Sequence, residues 1–414
     1  MLRGHDIVCV SSLDWDAHWT SKQQIMHRLA GANRILYVEE PVTMLAPLKV
    51  PEHWRRGGAL MPRLHRAEPN LWVLTPPLLL PFGNVRPEVN RVNQRWLARY
   101  IRWATRLLKF GDAILWTYLP GSVALVDRLD PALVVYHCVD EHSAFPGFVD
   151  PEVVGRYDEG LTRRADPVIA TAENLRASRA GQNEHTYHVP NAADVAHFGR
   201  ALDPDLPLPA DLAVIPRPRI GVIGVHDERL DVAALEAIAQ ADPSWQVVLV
   251  GPVRPGDVDE PRLRALPNVH LLGGKPLGAL PAYLKGLDVA LIPYKLNELS
   301  RNIFPLKLYE YLAGGVPVVS AALPELARFA APTDAPSGVP CAGVISLASR
   351  PEDYPHLVRV ALDEAAGPAA AEMRRRRVEL AAGNTWDHRV EVISDLVEQA
   401  LLRRRGWPGD GGPA

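Results

Sequence analysis

Short, uninterrupted apolar runs alternate with longer amphipathic segments along most of the sequence, and this alternation restricts the fold more than any other feature. The runs are rich in Val, Ile and Leu, without a polar residue at every second position. Strands of this kind are covered on both faces, as in parallel sheets flanked by helices. The pattern therefore predicts an α/β chain with twelve strands, at Ile7–Val10, Ile35–Val38, Leu71–Thr75, Ala113–Tyr118, Leu133–Cys138, Val168–Thr171, Ile220–Val225, Val247–Val250, Val269–Leu272, Val289–Pro293, Val316–Ser320 and Gly343–Leu347.

A proline-dense stretch separates the two sets of six strands. Residues 201–218 contain five prolines, which suit neither a long helix nor a central strand, so this stretch is predicted to be a linker. We therefore predict two doubly wound, Rossmann-like domains, at 1–200 and 219–385, followed by a helix at 386–405 and a flexible tail at 406–414. Ligands are expected at the carboxyl ends of the strands, facing the cleft between the domains.

Composition removes several other protein classes. The 414 residues are 47% hydrophobic and 22% charged, which argues against a disordered chain and against a protein with many membrane spans. The three cysteines, Cys9, Cys138 and Cys341, are scattered and form no CxxC pair, as expected in a reducing cytoplasm. No signal-peptide pattern precedes the first predicted strand.

The net charge of −3 conceals a basic segment, since residues 1–110 contain 16 basic and only 8 acidic side chains. Much of this excess lies in residues 91–110, where basic and aromatic residues recur at helical spacing. Two interpretations stay open: a basic amphipathic helix that contacts anionic lipid, or a crossover helix whose aromatic residues pack on the sheet. No nucleic-acid-binding motif accompanies these residues. The proposed membrane or acceptor face consists of Arg95, Trp96, Arg99, Arg102, Trp103 and Arg106.

The segment 302–320 contains the clearest local signal for a ligand site. Pro305 suits the first turn of a helix, and Gly314-Gly315 suit its end, just before a buried strand. A helix that starts at the ends of parallel strands presents amide groups to a diphosphate. A cation such as Lys307 is unfavourable in the first turn because of the helix dipole, and an anionic ligand would explain its presence there. Glu310 lies on nearly the same face and could accept hydrogen bonds from ribose hydroxyls. The alternative is a Lys–Glu surface pair.

The run from Pro305 to Val319 resembles the donor-site helix of GT-B glycosyltransferases, especially the group 1/4-type enzymes of bacterial surface-polysaccharide and exopolysaccharide synthesis. Residues 189–194, Val-Pro-Asn-Ala-Ala-Asp, and the strands at 220–225 and 287–294 are similar to other segments of these enzymes. The resemblance implies a GT-B fold whose last helix crosses back to the first domain. It also implies a transfer, without a metal, from a UDP-sugar or similar donor to a hydroxyl of a lipid-linked or polysaccharide precursor. The enzyme would be cytoplasmic and peripheral on the inner face of the cell membrane.

The same resemblance assigns the donor site. Glu310 matches the second glutamate of the family's E-x7-E element, and Asn302 replaces the first, which leaves both retaining and inverting transfer open. The loop after the first strand of the second domain would contact the diphosphate through Gly224 and Arg229, although Arg229 could instead pair with Asp227 or Asp231. The predicted donor-binding residues are Gly224, Arg229, Tyr294, Asn302, Phe304, Lys307 and Glu310.

A second polar cluster ends a predicted strand of the first domain. Inverting transfer to a hydroxyl needs a general base within about 3 Å, and Asp140 is the predicted base, with His137 or Glu141 as the second choice. The alternative is a polar strand end that forms only caps and surface pairs. We predict no metal site here, because the adjacent side chains, which include His142, cannot all converge on one ion.

Two other classes of protein share the predicted architecture. A non-hydrolysing nucleotide-sugar epimerase would convert the donor sugar without an acceptor. A non-catalytic nucleotide-sugar-binding protein would bind the donor but neither transfer nor hydrolyse it, and Asn302 is the residue that suggests it.

Overall fold

The computed structural model describes residues 1–46, 62–145, 147–330 and 343–406. The chain forms two compact units, residues 1–190 together with 387–414, and residues 191–386. This division places residues 201–218, the predicted linker, in the second unit. Cys341 and the predicted tail beyond Gly406 lie outside the described residues.

The first unit is built on an eight-stranded sheet with the order β3-β4-β2-β1-β5-β6-β7-β8. All neighbouring strands run parallel except β3 and β4, which are antiparallel. The strands are β1 Asp6–Val10, β2 Arg34–Val38, β3 Arg63–Glu68, β4 Leu71–Thr75, β5 Ile114–Thr117, β6 Leu133–Cys138, β7 Val168–Ala170 and β8 Thr186–His188.

Helices of the first unit connect these strands and bury one face each. The longest of them, α2 (Pro87–Leu107), packs Leu97, Ala98, Ile101 and Ala104 in the core. The helices are α1 Ser21–Ala30, α2 Pro87–Leu107, α3 Val123–Leu129, α4 Pro151–Arg164 and α5 Glu173–Ala180, with 3₁₀ turns at Pro120–Ser122 and His142–Ala144. The last helix of the chain, Trp386–Arg404, belongs to this unit from Asp387 onward.

The second unit has a six-stranded, entirely parallel sheet with the order β11-β10-β9-β12-β13-β14. Its strands are β9 Arg219–Ile223, β10 Gln246–Val250, β11 Val269–Gly273, β12 Val289–Ile292, β13 Val318–Ala321 and β14 Ile345–Ala348. Its helices are α6 Val195–Gly199, α7 Ala210–Ala213, α8 Val232–Ala241, α9 Glu260–Arg264, α10 Leu280–Lys285, α11 Glu298–Arg301, α12 Lys307–Ala313, α13 Tyr354–Ala366 and α14 Ala370–Ala382. The chain's last helix is α15.

All twelve predicted strands are present, and β6 has the predicted bounds. The sequence analysis did not predict two of the observed strands, β3 and β8. Strand β3 lies at the edge of the sheet and buries little surface. Its sequence, Arg-Leu-His-Arg-Ala-Glu, therefore lacks the apolar run by which the other strands were predicted. The β8 strand has only three residues. Within the described ranges, none of the helices combines the length and the apolar character needed to cross a membrane.

Candidate functional site

At the carboxyl end of β9, the loops that follow β9 and β10 approach each other so closely that only glycine fits at two positions. Gly224 has φ +122°, and a Cβ there would lie 2.8 Å from Cε of Lys307. Gly251, which follows β10, has φ +145°, and a Cβ there would lie 1.9 Å from the carbonyl oxygen of Gly224. The Lys307 side chain therefore packs directly against the backbone of the β9 loop. The predicted contact of Gly224 with a phosphate stays a prediction.

Helix α12 is fixed to the end of β9 by Tyr311. Its buried hydroxyl accepts a hydrogen bond from the amide of Ile223 at 2.8 Å and donates to the carbonyl of the same residue at 3.3 Å. The helix ends at Ala313 with Gly314 as its C-cap, and Gly315 follows with φ +70°. The Gly-Gly pair thus ends the helix as predicted. The helix itself begins at Lys307, two residues after Pro305.

Lys307, Tyr294 and Arg229 form a compact polar cluster beside Gly224. The Lys307 amino group donates to the Tyr294 hydroxyl at 3.2 Å and lies 5.4 Å from the centre of its ring. The guanidinium of Arg229 lies 5.6 Å from the same ring. Arg229 also donates from Nε to Asp227 at 2.8 Å and pairs with that carboxylate through Nη2. The pairing with Asp227 considered in the sequence analysis is thus present, whereas Asp231 caps α8.

Glu310 lies one helical turn beyond Lys307. Within the described part of the chain, its carboxylate forms no hydrogen bond or ion pair. Burial raises the pKa of Glu310 to about 7, Lys307 opposes this rise, and Asp194 adds to it. A carboxyl group kept in a poorly solvated place without a partner is costly for folding, which is a common sign of a functional position.

Asn302 and Phe304 are placed differently from the other predicted donor residues. The Asn302 amide donates to the carbonyl of Glu298 at 2.8 Å and so completes the end of α11. The Phe304 ring is buried and stacks on Tyr309 at 5.3 Å. Only the backbone of Phe304 is available for the predicted amide contacts, and its carbonyl accepts a hydrogen bond from Asn191 at 2.8 Å.

The structure adds two side chains that the sequence analysis did not assign. His226 is 1% exposed, neither ring nitrogen has a hydrogen-bond partner among the described residues, and its pKa is lowered to about 3 by burial and by Lys307. Asp194 caps α6 by accepting from the amide of His197 at 3.0 Å, and its charge acts on Glu310. Asp194 belongs to the Val-Pro-Asn-Ala-Ala-Asp segment, so the sequence contained a signal for it, but a single histidine in a loop gave none for His226.

In the first unit, β6 leads into the predicted catalytic residues. His137 is 1% exposed, and burial together with Lys22 lowers its pKa to about 3. Its ring stacks on Tyr118 with the ring centres 4.9 Å apart. Asp140 is partly exposed, and its carboxylate has no hydrogen-bond partner within the described ranges. Both residues are at the carboxyl edge of the sheet, where the sequence analysis placed them.

Glu141, the other second choice for a base, is engaged in a buried ion network. Its carboxylate accepts from Ser143 at 2.6 Å and from Arg179 at 3.1 Å. Arg179 is 2% exposed and also contacts Asp158 at 3.0 Å. Burial alone would raise the pKa of Glu141, but Arg179 and Ser143 hold it below the ordinary value. Asp140 is therefore the better placed of the two neighbouring carboxylates to meet a substrate.

Helix α2 divides the aromatic residues of the basic segment between core and surface. Tyr100 and Phe110 pack against the core, whereas Trp96 and Trp103 are 36% and 44% exposed. Leu107 is 62% exposed on the same helix. The surrounding arginines are also exposed, so the outward face of α2 is both basic and aromatic; its arginines are Arg91, Arg95, Arg99, Arg102 and Arg106.

Residues 217–341 match the family model described as Glycosyl transferases group 1. The matched residues all lie in the second unit, which is therefore similar to group 1 glycosyltransferases over that range. Over 234 residues the chain is 28% identical to the Bacillus subtilis protein named "Putative teichuronic acid biosynthesis glycosyltransferase TuaH". That alignment covers 53% of this chain and 57% of TuaH, so the chain spans little more than half the length of this relative.

Two solved structures resemble nearly the whole chain. Sucrose-phosphate synthase from Thermosynechococcus elongatus has a TM-score of 0.70 and 18% identity, over 97% of this chain and 100% of that one. Anabaena Alr3699/HepE in complex with UDP-glucose has a TM-score of 0.64 and 13% identity, over 96% of this chain and 100% of that one. The GT-B fold and the resemblance to GT-B glycosyltransferases are thereby confirmed. The range that matches the family model contains Gly224, Arg229, Tyr294, Asn302, Phe304, Lys307 and Glu310, whose individual roles stay predictions.

No group of three or more His, Cys, Asp or Glu side chains within the described ranges is arranged to hold a metal ion.

Proposed function

We propose that the protein transfers a sugar from a nucleoside diphosphate sugar to a hydroxyl group. The observation that supports this most directly is the pairing of Lys307 with Gly224 at the end of β9, one turn from the unpartnered carboxylate of Glu310. A lysine ammonium beside a glycine backbone suits a diphosphate, and a carboxylate one turn away suits the two ribose hydroxyls. The complexes of HepE with UDP and UDP-glucose make uridine the first base to test.

In this proposal the chain's own cations stabilise the departing diphosphate. Lys307 would contact a phosphate oxygen, and the amides near Phe304 would add neutral donors. Asp227 already accepts hydrogen bonds from the Arg229 guanidinium. Arg229 would therefore stabilise the diphosphate only through its positive charge, which lies beside Tyr294. Fixed positive groups that face a developing negative charge lower the barrier without rearranging during the reaction. The proposed transfer therefore needs no metal ion.

A binding screen of UDP-, GDP- and TDP-sugars by calorimetry tests the donor site. We expect one base to be preferred, and Lys307→Met to weaken binding of that donor at least about tenfold, because one charged hydrogen bond is lost. Lys295→Met is the matched control, since Lys295 is an exposed lysine of the same unit whose amino group donates to the Glu228 carbonyl at 3.0 Å.

Two results would contradict the proposal. One is the absence of binding by every nucleoside diphosphate sugar, and the other is equal donor affinity in Lys307→Met and the wild type. Incubation with the preferred donor alone separates the two other classes of protein: an epimerase would release a changed donor sugar, and a simple binding protein would leave the donor intact.

We assign the acceptor to the first unit, where Asp140 would accept the proton of the acceptor hydroxyl. A glycosyltransferase of teichuronic acid biosynthesis among the relatives favours a lipid-linked or polysaccharide precursor as acceptor. Such precursors lie at membranes. The outward face of α2 is suited to that location, because its arginines can contact anionic headgroups while Trp96 and Trp103 enter the interface. We therefore place the protein at the inner face of the cell membrane as a peripheral enzyme.

Vesicle sedimentation tests the α2 surface. The wild type is expected to bind phosphatidylglycerol vesicles, to bind phosphatidylcholine vesicles weakly, and to be released by salt. Arg99→Gln with Arg106→Gln should weaken binding about thirtyfold, since each basic residue near an anionic surface contributes about 1 kcal/mol. Arg156→Gln with Arg163→Gln removes two exposed arginines from α4 of the same unit and is expected to have little effect. Equal losses in both double variants would indicate nonspecific attraction and contradict an α2 membrane face.

A further inference from the structure

A group of polar side chains lies at the carboxyl edge of the first unit's sheet, beneath the start of α1. Trp116 and Tyr118 are two residues apart on β5 and its extension, and Trp116 pairs in register with Val135, so His137 shares their face of the sheet. Tyr118 is 0% exposed and His137 is 1% exposed. None of these residues has yet been given a ligand.

Three buried polar atoms in this group lack a hydrogen-bond partner among the described residues: Nε1 of Trp116, the Tyr118 hydroxyl and Nδ1 of His137. The Tyr118 hydroxyl is close to the indole N–H of Trp116 but forms no well-aligned hydrogen bond with it or with any other described residue. Leaving such a buried group unsatisfied costs about 1–3 kcal/mol, so native structures rarely keep one without a ligand or an ordered water.

A buried cation accompanies these atoms. Lys22 is the second residue of α1, is 7% exposed, and has its amino group 5.6 Å from the centre of the Tyr118 ring. The first turn of α1 contains no acidic residue, so the charge of Lys22 adds to the positive end of the helix dipole. Burial is the main cause that lowers the pKa of His137 and of His142, and Lys22 adds to it, whereas Asp140 and Asp158 act in the opposite direction on His142. Lys22, the Trp116 indole and the Tyr118 hydroxyl thus bring hydrogen-bond donors together at this place, which is called the pocket below.

We propose that Lys22, Tyr118 and His137 bind a phosphoryl group of the acceptor. This inference rests on the proposed function, since it names the chemical class of the acceptor for the same reaction. The ammonium and the phenol hydroxyl donate to anionic oxygens, and the neutral imidazole can donate from Nδ1 in the corresponding tautomer. Asp140 follows β6 three residues after His137, and its charge acts on His142, which contacts the Tyr118 carbonyl at 3.0 Å. A phosphoryl group in this pocket places the acceptor beside the proposed base.

Calorimetric titration with inorganic phosphate tests the pocket in the full chain, with UDP present at saturation so that the donor site is occupied. The wild type is expected to bind phosphate. Lys22→Met should weaken that binding at least about tenfold and Tyr118→Phe about fivefold, as expected for loss of a charged and a neutral donor. Arg156→Met removes an exposed charge of the same unit, on α4, and should leave the affinity unchanged. If Lys22→Met does not fold, Tyr118→Phe, which removes one oxygen atom, still decides the question.

Three outcomes overturn the inference: no phosphate binding by the UDP-saturated wild type, unchanged affinity in both pocket variants, or binding of glucuronate in preference to phosphate. The first would mean that the unpartnered atoms hold only internal water. The donor proposal is judged separately, by UDP binding in the same preparations. Loss of phosphate affinity in Lys22→Met with an unchanged UDP affinity supports the acceptor pocket, whereas failure of UDP, GDP and TDP alike to bind the wild type contradicts the donor site alone.

Discussion

Replacing Asp140 with asparagine is expected to lower the rate of sugar transfer by about 10²–10⁴-fold while leaving donor affinity unchanged. A positioned general base contributes about that factor, because the acceptor hydroxyl is a poor nucleophile until its proton is removed. Asparagine keeps the size of the side chain and its acceptor oxygen but cannot take the proton. The carboxylate is available for this role, since it is partly exposed and forms no hydrogen bond within the described ranges.

The measurement uses slow hydrolysis of the donor, in which water replaces the acceptor and the released nucleoside diphosphate is counted. Glu141→Gln is the matched control, because it changes the neighbouring carboxylate, which is held by Arg179 and Ser143. We expect Glu141→Gln to lower thermal stability through the loss of a buried ion pair but to keep most of the rate. A wild-type rate in Asp140→Asn, or a larger rate loss in Glu141→Gln, would assign the base to another residue.

The sequence predicted the parts of this protein that depend on continuous apolar runs. The six residues of β6 are buried along their whole length, so their pattern identifies both the strand and its end, where Asp140 follows. The helix that carries Lys307 and Glu310 was predicted for a related reason. The Gly-Gly pair reflects backbone geometry rather than distant contacts, so it marks the end of the helix without knowledge of the fold. The prediction for Pro305 was wrong by two residues, because the helix begins at Lys307 and Pro305 precedes its first turn.

Features that depend on contacts between distant segments were not predictable. The β3 strand is mostly exposed and exists because β4 offers an open edge, which its own residues do not reveal. The sequence is compatible with either a diphosphate or an aspartate as the partner of Arg229. Only the folded loop shows that Asp227 accepts hydrogen bonds from both Nε and Nη2 of Arg229. The unsatisfied ring of His226 and the pocket around Tyr118 arise from segments far apart in the chain, so no local pattern indicates them.

Glu310→Gln is expected to stabilise the second unit at pH 8 by up to about 3 kcal/mol, which corresponds to a rise of about 5–10 °C in the midpoint of its thermal transition. The folded-state pKa of Glu310 is raised from 4.5 to about 7, so between these values the folded protein binds more protons than the unfolded chain. Stability from this group is therefore lost as the pH rises through that window, and above it the full penalty applies. Glutamine cannot ionise and avoids the penalty.

The gain should shrink between pH 8 and pH 5, and it should reach zero only well below the unfolded pKa of 4.5, where the carboxyl group is protonated in both states. Scanning calorimetry at both pH values measures it, and Glu298→Gln, which changes an exposed carboxylate of the same unit, should show no comparable pH-dependent gain. If Glu310 also holds the donor ribose, the stabilised variant must bind UDP about 10–100-fold more weakly, because a charged acceptor of two hydroxyl hydrogen bonds is lost. A variant that became more stable and kept its UDP affinity would remove Glu310 from the donor site. A variant that lost UDP affinity without gaining stability would show that the Glu310 carboxylate is better solvated than its raised pKa implies. The two measurements together therefore separate the role of Glu310 in binding from its effect on the free energy of unfolding.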